Sequence, residues 1–468
     1  MACSFATASE RSAMKRSTLS LVLAAAIGLS GPVAARQASD SAVPAAAFTP
    51  DRAQETLLDK ARRAGATDLT TRPAPGGGMI VNGKLDGHIF VLAIPANWNR
   101  EAVLIGQGYA APGSTPAVPA DPTAPSESGG ALRHIYDEGL AVGVAAFDKS
   151  GVATESGAKN AMRLHALTTR LGAKRHYAVG GSMGGSVVLA LIELYPKAFA
   201  GAVSMCGVTE GWRPLIQQLA DMRGAYDLLT EGTPYALPGA HDLTRSGLPT
   251  EPSAGDSTPG DAFRDQQRMR VLMPIFALFQ AAKANLDGRE ARIIRQVAAV
   301  GGFAPDPAAI GAPVYAAVLG MDDIVATMGG LPIDNSERVY APPEMSAEES
   351  ADFNRRMPRY HANPRAVAFA RQWHEPTGKF RVPLVTVHQT TDSLVPFSQS
   401  EGLGRIVAAA GNGARIAQYA VPPTKMPLPD GLEGYTHCGF SPKQNANAFD
   451  AMRTWVRTGR RPGPDAVK

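Results

Sequence analysis

Between Met79 and Gly207 short apolar runs alternate with longer amphipathic ones, and this rhythm restricts the possible folds more than any other property of the chain. His88 to Ile94, Ala102 to Ile105, Ala141 to Phe147, His176 to Val179 and Ala200 to Met205 read as strands. Ala131 to Glu138, Asn160 to Leu171 and Ser186 to Tyr195 read as helices. A strand, a covering helix and then another strand is the pattern of a parallel sheet with helices on its faces. Met79 to Ile94 reads as an antiparallel hairpin or meander at one sheet edge, turning at Asn82-Gly83. Gly76 to Gly78 reads as a linker.

After Gly207 the rhythm stops. Helical stretches at Trp212 to Leu229, Phe263 to Leu286, Arg289 to Val300, Val314 to Met328 and Ala366 to Trp373 are separated by Pro, Gly and Ser segments such as Gly247 to Gly260. Strands return at Pro383 to His388 and Ala414 to Tyr419, and a helix follows from Gln444 to Thr458. The expected organisation is one α/β domain, residues 36–207 and 381–468, interrupted by a helical insertion at 208–380. The 48 Gly and 37 Pro suit so many turns, and with 44% hydrophobic residues they exclude disorder and collagen.

Residues 1–35 read as a cleavable secretory signal. Lys15 and Arg16 precede an apolar stretch from Leu19 to Leu29, and Val33-Ala34-Ala35 carries the small residues of a cleavage site. Met14 is the more natural start. The apolar run is too short for an anchor and is followed by Gly31-Pro32, so no stable membrane insertion is expected after cleavage. A formal charge of +4 over 468 residues supplies no basic field for nucleic acid. Of three cysteines, Cys206 and Cys438 remain after cleavage and would enter an oxidising compartment, where a pair can bond.

The sharpest local feature is Gly180-Gly181-Ser182-Met183-Gly184, between a short apolar strand and an apolar helix. G-x-S-x-G in that setting is a turn that projects the serine hydroxyl above the sheet edge. Serine needs a histidine to take its proton, and the histidine needs a carboxylate to fix its tautomer. Asp392 follows the strand Pro383 to His388 and is the candidate acid; an Asx-turn ahead of a helix near Phe397 is its plainer reading. Asp322, Asp323 and Asp148 are weaker candidates. His437, among nine histidines, alone follows Asp392 and lies just before the last helix, which makes it the candidate base over His388. The amide of Met183, together with that of Tyr109 or Gly108 in the turn after the strand Ala102 to Ile105, would hold an oxyanion. Trp212 and Trp373 are candidate pocket residues. H-E-x-x-H, C-x-x-C and G-x-x-x-x-G-K-[ST] patterns do not occur, so neither a metal nor a cofactor is expected.

With the order Ser, Asp, His in place, the chain resembles the α/β-hydrolase superfamily over roughly 79–207 and 381–460. Leu194 to Val203 is similar to the helix end and strand that follow the serine in many members, and Trp455 to Pro462 resembles the ending of secreted bacterial esterase-like members. The resemblance implies an α/β-hydrolase fold with a helical cap, no cofactor, and a periplasmic or extracellular serine hydrolase acting on a small or oligomeric ester. It implies that Cys206 and Cys438 both lie at the rim of the site, where a disulfide between them is open. Some secreted tannase-like and feruloyl-esterase-like hydrolases are similar in tying the Ser and His loops by a disulfide, although their cysteine adjoins the serine, where this chain has Gly181 and Met183. Serine peptidases and amidases share the triad. Gly180 to Gly185 with a helical cap also resembles homoserine O-acetyltransferases, but acyl-CoA is cytosolic and an exported chain would not meet it. A non-catalytic binding module on a hydrolase scaffold is the remaining alternative; such modules usually lose a triad member.

Overall fold

A computed structural model describes residues 48–468, except His374 and the side chain of Ser128; the expected signal at 1–35 lies outside the described residues. Nine strands form one sheet: β1 (Ala66–Ala74), β2 (Gly78–Leu85), β3 (His88–Ile94), β4 (Glu101–Gly106), β5 (Ala141–Ala145), β6 (Arg175–Gly181), β7 (Gly201–Met205), β8 (Leu384–Gln389) and β9 (Ile416–Val421). Their spatial order is β1-β2-β3-β5-β4-β6-β7-β8-β9. Pairing is antiparallel from β1 to β5 and parallel from β5 to β9.

The central strands are apolar on both faces because both faces are covered. Ala102 and Leu104 of β4 join a core with Ala178, Val187 and Leu191, whereas Val103 between them joins Tyr177, Phe449 and Met452 on the other side. The first face carries α3 (Thr154–Leu171) and α4 (Met183–Leu194); the second carries α2 (Ala131–Asp137) and α12 (Pro442–Thr458), and α1 (Arg52–Arg63) packs on α3. α11 (Ser398–Ala409) lies between β8 and β9 in the chain.

Between β7 and β8 come six helices: α5 (Trp212–Thr230), α6 (Gly260–Ala282), α7 (Arg289–Gly301), α8 (Pro307–Met328), α9 (Ala347–Arg356) and α10 (Pro364–Trp373). α8 is long and apolar enough to cross a membrane, but 78% of its apolar window is buried among its neighbours. It starts seven residues before the expected Val314, because Asp306 caps it by accepting the amides of Ala308 (3.0 Å) and Ala309 (3.1 Å). Pro313 sits inside the helix, where close burial outweighs the missing backbone donor.

Two expectations are corrected at the sheet edge. The β2–β3 turn is Asp86-Gly87, both with positive φ (50° and 85°), and not Asn82-Gly83. Gly83 lies within β2, where a Cβ would stand 2.6 Å from Leu69 Cδ2. Gly76 to Gly78 is no linker but the connection of the β1–β2 pair, and β1 is the outermost strand.

Candidate active site

The serine turn is built by glycine contacts. Gly106 ends β4 opposite Gly180 of β6 in parallel register. A Cβ on Gly180 would stand 2.4 Å from the Gly184 carbonyl oxygen, and one on Gly184 would stand 2.0 Å from that of Gly106. The first turn of α4 therefore lies directly against the β4 terminus and the loop after it. Ser182 takes φ 55°, ψ −126°, a strained conformation for a residue with a side chain. Its amide donates to Met205 O (3.1 Å) and its carbonyl accepts from Val208 (3.1 Å), so the end of β7 clamps the turn.

Asp392 follows β8 and is buried. Its Oδ1 accepts the amides of Leu394 and Val395, both at 2.9 Å, and its Oδ2 accepts the amide of Cys438 at 3.0 Å. The Asx-turn and the contact with the His loop thus coexist on one carboxylate. His437 follows a small hairpin, β10 (Lys425–Leu428) and β11 (Leu432–Tyr435), which was not read from sequence. Its Nδ1 lies 2.7 Å from Asp392 Oδ1 and its Nε2 lies 2.8 Å from Ser182 Oγ. In the tautomer with the proton on Nδ1, the ring donates to the carboxylate and accepts the serine hydroxyl. Burial opposes ionisation of Asp392, but the His437 ring, its hydrogen bond, His388 and the Leu394 amide together hold the carboxyl below its usual range.

Cys206 and Cys438 form a disulfide, with Cα atoms 5.4 Å apart. Cys206 immediately follows β7, whose Met205 carbonyl holds Ser182, and Cys438 adjoins His437, so the bridge ties the serine turn to the His loop. Ser182, Cys206 and Cys438 are three of the eight non-glycine residues with positive φ among the described residues, which concentrates backbone strain here.

The rival acid and base candidates have other partners. His388 donates Nε2–H to Val395 O (2.9 Å), a structural bond that helps hold the acid loop. Asp148 pairs with His88 at 2.8 Å. Asp322 Oδ1 accepts the Ser246 amide at 3.2 Å. Asp323 holds Lys149 and the Val152 amide. An apolar cavity opens beside Ser182, lined by Met183, Tyr109 and Trp212. Trp212 is fixed by its Nε1–H donating to Ser186 Oγ at 3.1 Å. Trp373 does not line it: at the end of α10, the indole lies under Lys159 Nζ at 5.2 Å, on the outer side of α3. For the oxyanion donors, the contact of Gly184 with Gly106 and Gln107 brings the loop carrying Gly108 and Tyr109 beside Met183.

Two supports escaped the sequence reading. Gln389, fully buried at the end of β8, accepts the Gly439 amide at 3.0 Å and braces the His loop from below. Asp306, besides capping α8, accepts the Tyr435 amide at 3.1 Å and joins the helical insertion to the strand leading to His437. The N-cap signal Asp306-Pro307 was present in the sequence; nothing local marked Gln389.

No family model matches the sequence, and no curated protein matches it. Among solved structures, the chain is similar to an esterase from Aspergillus oryzae, with 14% identity, 85% of this chain and 87% of that one covered, and a TM-score of 0.43. It is similar to feruloyl esterase B from Aspergillus oryzae at 12% identity, 85% and 88% coverage and a TM-score of 0.44. A rice cell wall degrading esterase from Xanthomonas oryzae aligns at 14% identity, 77% and 91% coverage and a TM-score of 0.35. The chain's own strand order, the strained serine turn between β6 and α4, and the succession of Ser182, Asp392 and His437 beyond strand ends are those of the α/β-hydrolase fold.

Proposed function

We propose that the chain is an exported serine hydrolase that cleaves carboxylic esters through an acyl-enzyme on Ser182. The observation that supports this reading is the continuous buried relay from Ser182 Oγ through His437 to Asp392, with separations of 2.8 and 2.7 Å. His437 Nε2 takes the serine proton as Oγ attacks the ester carbonyl, and Asp392 stabilises the imidazolium. The amides of Met183 and of Gly108 or Tyr109 receive the oxyanion. His437 then passes its proton to the departing alkoxide; water, activated by the same ring, releases the acid and restores Ser182. Residues 36–207 and 381–468 form the catalytic domain in this reading, and 208–380 the cap. The disulfide supports export, since such bonds persist in oxidising compartments.

A panel of p-nitrophenyl esters and aminoacyl p-nitroanilides tests the reading, with wild type, Ser182→Ala and His437→Ala. Ester turnover reduced on the order of 10⁴-fold or more in both variants is expected. Equal activity in wild type and Ser182→Ala would overturn the mechanism, and turnover of anilides without esters would transfer the assignment to an amidase.

A further inference from the structure

The cavity beside Ser182 has a direction and a size. Its walls include Trp212, Leu215 and Leu219 of α5 and Tyr315, Leu319 and Gly320 of α8, and no charged residue lines it among the described residues. Ser182 and Met183 are part of the lining, as are Leu394 and Val395 of the acid loop, but His437 and Cys438 are not. A departing alcohol must take its proton from His437 Nε2, so the scissile C–O bond points toward His437. The chain on the other side of the carbonyl carbon then points away from His437, into the cavity.

We propose that this cavity is the acyl pocket and that it selects short, uncharged acyl groups of about two to four carbons. The inference rests on the esterase reading above and adds the substrate class to it. The cavity volume is about 50 Å³, a third of the roughly 150 Å³ that holds a benzene ring in an apolar protein cavity. An acetyl to butyryl chain matches such a space; an aryl or long-chain acyl group does not. The walls are anchored, which fixes the limit. Trp212 is bonded to Ser186, Asp323 of α8 holds both Lys149 and the Val152 amide at the cavity's edge, and Asp306 at the start of α8 holds Tyr435. Gly320 is the glycine of this lining, and a Cβ there would stand 3.2 Å from Tyr109 Oη.

The experiment compares kcat/KM for p-nitrophenyl acetate, butyrate, octanoate and laurate, and separately for a series of acetates of increasing alcohol length. Wild type is expected to favour acetate and butyrate over octanoate by about tenfold or more, with little discrimination in the alcohol series. Gly320→Ala is expected to lower butyrate relative to acetate about tenfold, and Leu319→Ala to raise octanoate relative to butyrate. Where Leu319→Ala does not fold, the wild-type and Gly320→Ala series decide. Octanoate or laurate turned over as well as butyrate would overturn the size limit while leaving the esterase reading standing. A Gly320→Ala effect confined to the alcohol series would overturn the acyl assignment. No ester turnover by wild type would instead remove the esterase reading itself.

Discussion

Replacing Gly184 by alanine tests how the serine turn is held. The added Cβ would meet the Gly106 carbonyl oxygen at 2.0 Å, its carbon at 2.6 Å and the Gln107 oxygen at 3.0 Å. All three are backbone atoms, so no rotamer change relieves the contact, and α4 and the β4 terminus must separate by more than about 1 Å to reach ordinary van der Waals distance. Gly184 has no positive φ and lies in the first turn of α4, where alanine is intrinsically favoured by up to about 1 kcal/mol. Any net destabilisation therefore understates the cost of the contact. Overpacking of this kind costs about 1–3 kcal/mol or more, and a 1 Å displacement between the Met183 amide and the Gly108–Tyr109 loop is expected to lower kcat/KM about 10²-fold. Urea unfolding and p-nitrophenyl acetate kinetics measure the two effects. Gly413→Ala is the control, since it has open space around it and no positive φ. If Gly184→Ala stays within about 0.5 kcal/mol of wild type and within twofold in kcat/KM, the account of the turn is wrong.

Three further outcomes are expected. Asp392→Asn should leave the fold intact and lower kcat/KM by about 10³- to 10⁴-fold, because His437 Nδ1 would lose the charge that sets its tautomer; a fall of less than tenfold would deny Asp392 that part. Reduction of Cys206–Cys438, which spans 232 positions, should cost at most about 5 kcal/mol by chain entropy and lower the melting temperature; an unchanged melting temperature with two titrated thiols would contradict it. Burial pushes the His176 pKa down to about 3, with neighbouring His165 adding to the effect. An unfolded histidine binds a proton below about pH 6.5 that folded His176 refuses, so stability should fall by about 2 kcal/mol between pH 7 and 5 from this group. Urea titrations of wild type and His176→Gln at both pH values check this, and an equal fall in the two would refute it.

The parts of the fold that sequence revealed are those whose signals are local. From Ala102 to Met205 short continuous apolar runs alternate with amphipathic helices, and the strands they form supply both cores of the sheet. Ser182 stands in a contiguous pattern, and Asp392 and His437 follow strand-like runs. What remained hidden depends on chain segments far apart. Trp212 and Trp373 look alike in sequence, yet one lines the cavity and the other lies over α3, because only α5 leads directly out of β7. The α9 helix carries a readable capping box, Ser346 with Glu349, but its short, polar sequence has no apolar stripe to mark it. The hairpin that delivers His437 contains Pro427 and strands of four residues, too brief for periodicity to register. Cys206 and Cys438 are 232 residues apart in sequence, a spacing that says nothing of their 5.4 Å Cα separation in space.

In the proposed mechanism Ser182, activated by His437, is the nucleophile. Incubation with a fluorophosphonate, followed by intact-mass and peptide-mass measurement, tests it most directly. A single adduct on the peptide carrying Ser182, formed in step with loss of ester hydrolysis and abolished in Ser182→Ala, is the predicted result. Loss of activity with the adduct on another residue, or full activity in fully labelled protein, would contradict it.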